Sequence, residues 1–178
     1  MNTLNPHARV FFALWPDAVR RTALADWQPL LHACCGGRVM RADSLHCTLV
    51  FLGNVAVRRL EALQLAAQEV AAKPFTVTFD HAAYWGHNHI VYAAAGTIPP
   101  ELQALVASLQ AVLRRHRFRF EQREYLPHVT LLRHAKWRDA PLPAMSGASW
   151  PVSEFVLLQS LPQATAAHYQ VLARFPLK

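Results

Sequence analysis

The sequence predicts an α+β fold of mostly antiparallel sheet with helices, in two halves related by a pseudo-two-fold. Three observations predict it. Strand-like and helix-like segments follow one another without the strict alternation of a doubly wound parallel sheet. A turn-prone Gly86-His-Asn88 between apolar segments signals a hairpin. A short strand motif occurs twice, each time behind a helical stripe, as expected of two halves related by a pseudo-two-fold axis.

Each element has its own justification. Arg9-Val-Phe-Phe-Ala-Leu-Trp15 is an apolar run suited to a buried strand, and Pro16 with Asp17 is a helix entry. That helix is expected to reach the Leu30-Leu31 region, with Pro29 troubling its last turn and Gly36-Gly37 ending it. Leu45 to Leu52 is a second strand, stopped by Gly53-Asn54. Leu60, Leu63, Ala67 and Val70 form one face of a helix within Val55 to Ala72. Leu102, Leu105, Leu109 and Val112 repeat those steps between Pro99-Pro100 and His116. Between these helices, Phe75 to Phe79 and His89 to Ala95 are expected to pair as the hairpin. Leu126 to Leu132 is the next strand, and Phe155 to Gln159 and Tyr169 to Phe175 are the last two. The intervening Pro-, Ala- and Ser-rich stretch from Ala140 to Pro151 is read as a loop long enough to cover a site.

With 178 residues, 53% of them apolar and only 16% charged, the chain can bury a core without disulfides or metal, as one domain spanning 1–178. The same figures exclude intrinsic disorder. Eighteen basic against eleven acidic residues give +7 with histidines neutral, a balance that favours anionic partners. Cys34, Cys35 and Cys47 cannot all pair, so a reducing compartment, the cytoplasm, is expected. Two stretches lack charged residues for about a membrane span, His81 to Pro100 and Phe155 to Ala173, but interior prolines and polar residues argue against crossing. Val10 to Trp15 is too short for a signal peptide, so neither export nor membrane association is expected. No Gly-rich phosphate loop is present, and no cofactor is expected.

The repeated motif carries the chemistry. Leu45-His46-Cys47-Thr48-Leu49 and Pro127-His128-Val129-Thr130-Leu131 share His-x-Thr-Leu inside expected strands. Strand side chains alternate, so His46 with Thr48, and His128 with Thr130, share one face. Two imidazoles and two hydroxyls meeting across a cleft suit phosphoester hydrolysis: a neutral imidazole activates water and an imidazolium protonates the leaving oxygen. The hydroxyls hold the phosphate oxygens, and no metal is required.

With its two motifs and its flanking strands, from Arg9-Val-Phe-Phe-Ala-Leu14 to Tyr169-Gln-Val-Leu-Ala-Arg-Phe-Pro-Leu177, the chain resembles the two-histidine (2H) phosphoesterases. Within them it resembles the RNA 2′,3′-cyclic phosphodiesterases historically called 2′-5′ RNA ligases. The resemblance covers nearly the whole length. It implies two α+β lobes around a cleft and opening of a 2′,3′-cyclic phosphate to a 2′-phosphate. It also implies His46 as proton donor, His128 as proton acceptor and Thr48 and Thr130 as phosphate ligands. The partners implied are RNA ends or cyclic nucleotides, with no obligatory protein partner. The family usually has a glycine where this chain reads Ala164-Thr-Ala-Ala-His168, which bears on the last hairpin's turn. The same four residues also serve a 2′,5′-phosphodiesterase or a reversible RNA ligase, and a silent RNA-binding module is the rival from another class.

Other candidates stand beside these. Arg114, Arg115, Arg117, Arg119 and Arg123 form either an approach path for RNA phosphates or a solvated helix end. Arg133 matches an arginine of the family motif, but alternation turns it away from His128 unless the strand bends. Phe11, Phe12, Tyr92 and Tyr125 are candidates to stack on a base, Tyr125 first among them. His81, His87 and His89 are read as incidental histidines of a hairpin tip rather than metal ligands. The three cysteines are read as small buried hydrophobes.

Overall fold

Strand register around the repeated motif organises the molecule. The computed structural model describes residues 6–138, 140–162 and 168–178. The main sheet runs β10 (His168–Pro176), β9 (Glu154–Leu161), β1 (His7–Leu14), β3 (Cys47–Ala56), β7 (His128–Arg133), β6 (Ile90–Ala94) and β5 (His81–Trp85). Every pairing among the described strands is antiparallel. The halves meet at one rung, Cys47 opposite Val129, after which the short β2 (Arg38–Val39) takes the place of β3 beside β7. On either side of this joint β3 corresponds to β7, β1 to β6 and β9 to β5, which is the pseudo-two-fold relation.

Among the described residues, four helices cover one face: α1 (Ala18–Ala25), α2 (Gln28–Cys35), α3 (Leu60–Ala67) and α4 (Pro100–Arg115). Alternation along β1 decides which side is which. Val10, Phe12 and Leu14 join Leu24, Leu63, Leu105 and Leu109 of the helices in the main core, whereas Phe11 and Ala13 join Val156 and Leu158 on the other face. A matching cluster of Ile90, Tyr92 and Ala94 lies in the second half. Burying one such Leu or Phe side chain is worth about 1.5–3 kcal/mol.

The structure corrects several expectations. The first helix is two, because the chain turns at Trp27 and Pro29 falls in the first turn of α2, where its missing N–H costs nothing. Strand β3 continues through Gly53-Asn54 to Ala56: Gly53 takes a positive φ of 73°, so the glycine bends the strand instead of ending it. Helix α3 is accordingly shorter than Val55 to Ala72. The hairpin joins β5 to β6, while β4 (Phe75–Phe79) pairs with β8 (Ala148–Val152) in a separate two-stranded sheet. The end of the expected loop, from Ala148, is therefore a strand. Pro151 sits opposite Thr76 there, on a ribbon whose outer edge needs no N–H from it. The sequence around Ala164 lies outside the described residues. Among the described residues no helix is long and apolar enough to cross a membrane.

Candidate active site

Each histidine is held by the backbone just ahead of its strand. A 3₁₀ turn at Ala42–Ser44 aims the Ser44 carbonyl at His46 Nδ1, 2.7 Å away. Pro127 disfavours a helical conformation at Leu126, and the Leu126 carbonyl lies 2.9 Å from His128 Nδ1. A carbonyl only accepts, so each Nδ1 carries the proton and each Nε2 is left to titrate. His46 immediately precedes β3 and His128 opens β7, so both stand at strand entries rather than inside strands.

The motif strands share a second device. Opposite β1, Thr48 pairs with Ala13 and Val50 with Phe12, so Leu49 has no partner. Opposite β6, Thr130 pairs with Tyr92 and Leu132 with Val91, so Leu131 has none. Each strand thus bulges one residue after its threonine, and parity reverses beyond the bulge. The residue three places after each threonine, Phe51 in one half and Arg133 in the other, returns to the cleft face. This overturns the alternation that set Arg133 away from His128. Gln28, at the start of α2 and only 5% exposed, fixes the second bulge by donating from Nε2 to the carbonyls of Leu131 at 3.1 Å and Met40 at 2.8 Å.

A cleft of about 400 Å³ gathers His46, Thr48, His128, Thr130 and Arg133, with Phe51, Arg9 and Arg123 also on its wall. Among its described lining residues there are three arginines and no carboxylate. Aromatic rings enclose both imidazoles: Phe11 and Tyr169 lie 5.1 and 5.0 Å from His46, and Trp85 and Tyr92 lie 4.7 and 5.7 Å from His128, centroid to centroid. Burial pushes His46 down to about 4, opposed by the Ser44 carbonyl and assisted by the positive charges of His128, Arg133 and Arg21. His128 is lowered as well, again by burial first, with Arg123 and Arg133 assisting and the Leu126 carbonyl opposing.

Tyr125 is a correction. Its hydroxyl lies 3.8 Å from Cys47 Sγ, and its ring packs against the main core rather than lining the cleft. Cys47 occupies the rung joining the halves and faces away from His46, so its partner lies behind the sheet. Burial pushes the Cys47 thiol up to about 11, which keeps it protonated. Cys35 is buried too, but Cys34 is exposed, on the outer side of α2, and is no core residue. Of the other stacking candidates, Phe11 lines the cleft, Tyr92 lies under His128, and Phe12 is in the core. The stretch from Ala140 to Pro151 contributes nothing to the described cleft wall.

The arginine cluster divides. Arg114 stacks over Phe120 at 5.1 Å and Arg115 pairs with Glu69, whereas Arg119 and Arg123 line a groove that adjoins the cleft. His87 lies in the turn between β5 and β6, and among the described residues no three His, Cys, Asp or Glu side chains converge as metal ligands would. Sequence reasoning missed Phe51, Trp85, Tyr169 and Gln28. Phe51 had a signal: it holds the same offset from Thr48 that Arg133 holds from Thr130.

A basic cleft that receives one imidazole and one hydroxyl from each half of an antiparallel sheet is built for phosphoester chemistry. The family model of the 2′-5′ RNA ligase superfamily matches residues 15–163, and the chain belongs to that superfamily. It is 32% identical, over 95% of its length and 96% of the relative's, to the RNA 2′,3′-cyclic phosphodiesterase of Escherichia coli strain K12. It is 25% identical, over 96% of its length and 90% of the relative's, to the protein of the same name from Thermus thermophilus. Its fold matches the crystal structure of E. coli LigT complexed with 3′-AMP at a TM-score of 0.84 and 31% identity, covering 96% of this chain and 98% of that one.

Proposed function

We propose that this chain hydrolyses the 2′,3′-cyclic phosphate of RNA ends or of nucleotides to a 2′-phosphomonoester, without a metal. One observation carries the proposal: two imidazoles anchored through Nδ1 to carbonyls leave two Nε2 atoms and two threonine hydroxyls in one cleft rich in arginine. The names of both curated relatives support it.

The water oxygen attacks phosphorus while Nε2 of His128 takes its proton. The bond from phosphorus to O3′ breaks as Nε2 of His46 gives its proton to O3′, so the phosphate stays on O2′ and the 3′-hydroxyl is restored. Thr48 and Thr130 donate to the non-bridging oxygens, and Arg133 offsets their growing charge. His46, held low in pKa by burial and by like charges, takes up its proton when the phosphodiester anion enters between the rings. The three cysteines are free thiols, which suits a reducing cytoplasm.

The test is incubation with 2′,3′-cyclic mononucleotides in excess chelator, resolving 2′- from 3′-monophosphates. The expected result is undiminished turnover to the 2′ product. Activity lost in chelator and restored by zinc or manganese would overturn the mechanism.

A further inference from the structure

Beyond Thr48 the cleft does not end. A second, more open groove of about 620 Å³ shares Arg9, Thr48, Phe51 and Arg123 with it and continues past Arg119 and Phe120. Its two walls are tied together, since the Glu121 N–H donates to the Phe51 carbonyl at 2.8 Å. Glu121 is the one carboxylate on the described wall, and Arg123 lies 3.6 Å from it. No carboxylate pairs with Arg9 or Arg119 among the described residues, and Arg9 and Arg119 are exposed. The arginines sit beside aromatic faces: Arg9 lies 4.8 Å above the Phe51 ring, and Phe120 is backed by Arg114.

From this we infer that the groove binds the single-stranded RNA that precedes the cyclic phosphate, Arg9, Arg119 and Arg123 meeting successive phosphates and Phe51 and Phe120 meeting unpaired bases. Guanidinium groups along a track, those of Arg9 and Arg119 without a carboxylate partner among the described residues, match a repeating anion, and aromatic faces match bases free to unstack. The other extension of the cleft, about 150 Å³ beside Trp85, His87 and Glu124, is far smaller and carries one arginine, Arg123, against the groove's three. The inference rests on the hydrolase proposal and narrows its substrate to an oligoribonucleotide end in preference to a mononucleotide.

The experiment compares kcat/KM on 2′,3′-cyclic AMP with that on a ten-nucleotide single strand ending in a cyclic phosphate, for the wild type, Arg119→Glu and Phe120→Ala. The wild type should prefer the oligonucleotide. Arg119→Glu should lower the oligonucleotide value about tenfold or more and flatten its salt dependence by about one phosphate contact, while the mononucleotide value stays within about twofold. Phe120→Ala should act in the same direction, more weakly. Equal losses on both substrates, or none, overturn the groove. If neither substrate is opened, the hydrolase proposal has failed. The groove is then judged by anisotropy of a fluorescent strand carrying a 3′-phosphate: weaker binding by Arg119→Glu supports it and unchanged binding overturns it. Equal affinity for a duplex of the same length also overturns it, because paired bases offer no free face to the rings.

Discussion

The two motif strands are built by the same backbone rules and end in different chemistry. In both, a carbonyl two residues back fixes the histidine, a threonine follows on the same face, and a bulge after the threonine returns the residue three places on to the cleft. In the first half that residue is Phe51, with an arginine stacked on its outer face; in the second it is Arg133. Burial also differs in effect, lowering His46 far enough to reach about 4 and His128 less. A repeated frame therefore supplies symmetric positions, and the side chains placed on them assign the work. At the position after the bulge the first half places an aromatic ring, Phe51, and the second a cation, Arg133, on the cleft wall.

The largest test of this comparison removes the shared feature. His46→Ala and His128→Ala should each lower kcat by roughly 10²–10⁴-fold with the circular dichroism spectrum intact. The double variant should be little slower than either single one, since an acid without its base has few productive states. Near-normal turnover in either single variant would remove the symmetric site.

The next test separates the two residues that follow the bulges. Arg133→Met deletes a charge-assisted contact worth about 1.5–3 kcal/mol, a loss of roughly 10- to 150-fold in kcat/KM on every cyclic phosphate. Phe51→Leu should raise KM by only a few-fold. Equal effects would show that the halves are not specialised.

Gln28→Leu tests the support behind the second bulge. The Met40 carbonyl loses the Gln28 donor and the Leu131 carbonyl loses one of two, keeping the Met40 N–H, so thermal stability should fall by about 1–3 kcal/mol. Phosphate affinity should fall too, whereas in an Arg133→Met background Gln28→Leu should add almost nothing to the affinity loss. An undiminished effect in that background would mean that Gln28 does not act through Arg133.

The smallest effect is in the pH profile. Burial lowers both imidazoles, so the optimum of kcat/KM should lie below the ordinary histidine value of about 6.5, while that of kcat, set by the phosphate-bound form, should lie higher. The limbs belong to the coupled pair. Stability follows the same sign. The unfolded chain protonates near 6.5 and the folded His46 only near 4, so its contribution is complete above about 6.5 and is lost as pH falls through that window. His46→Gln should flatten the acid-side fall in melting temperature, and added phosphate should oppose it.

Residue type and local spacing were enough to mark His46, Thr48, His128 and Thr130, because a period-two strand places positions two apart on one face whatever the rest of the chain does. They also marked α4, whose apolar stripe between Pro99-Pro100 and His116 is a long-range-independent signal. Pairing was not local. Phe75 to Phe79 looked like half of a hairpin, yet its partner β8 lies far along the chain, and no spacing rule chooses between a near and a distant edge strand. The bulges were invisible for a related reason: an unpaired residue exists only relative to the neighbouring strand, so the place of Arg133, the cleft role of Phe51 and the burial of Gln28 against the Leu131 carbonyl were fixed by β1, β6 and α2. The sequence by itself determined which titratable and hydroxyl groups share a strand face, since that depends on side-chain type and strand parity. Tertiary structure alone decided which further groups face them and how strongly their protons are held, since both depend on neighbours distant in the chain.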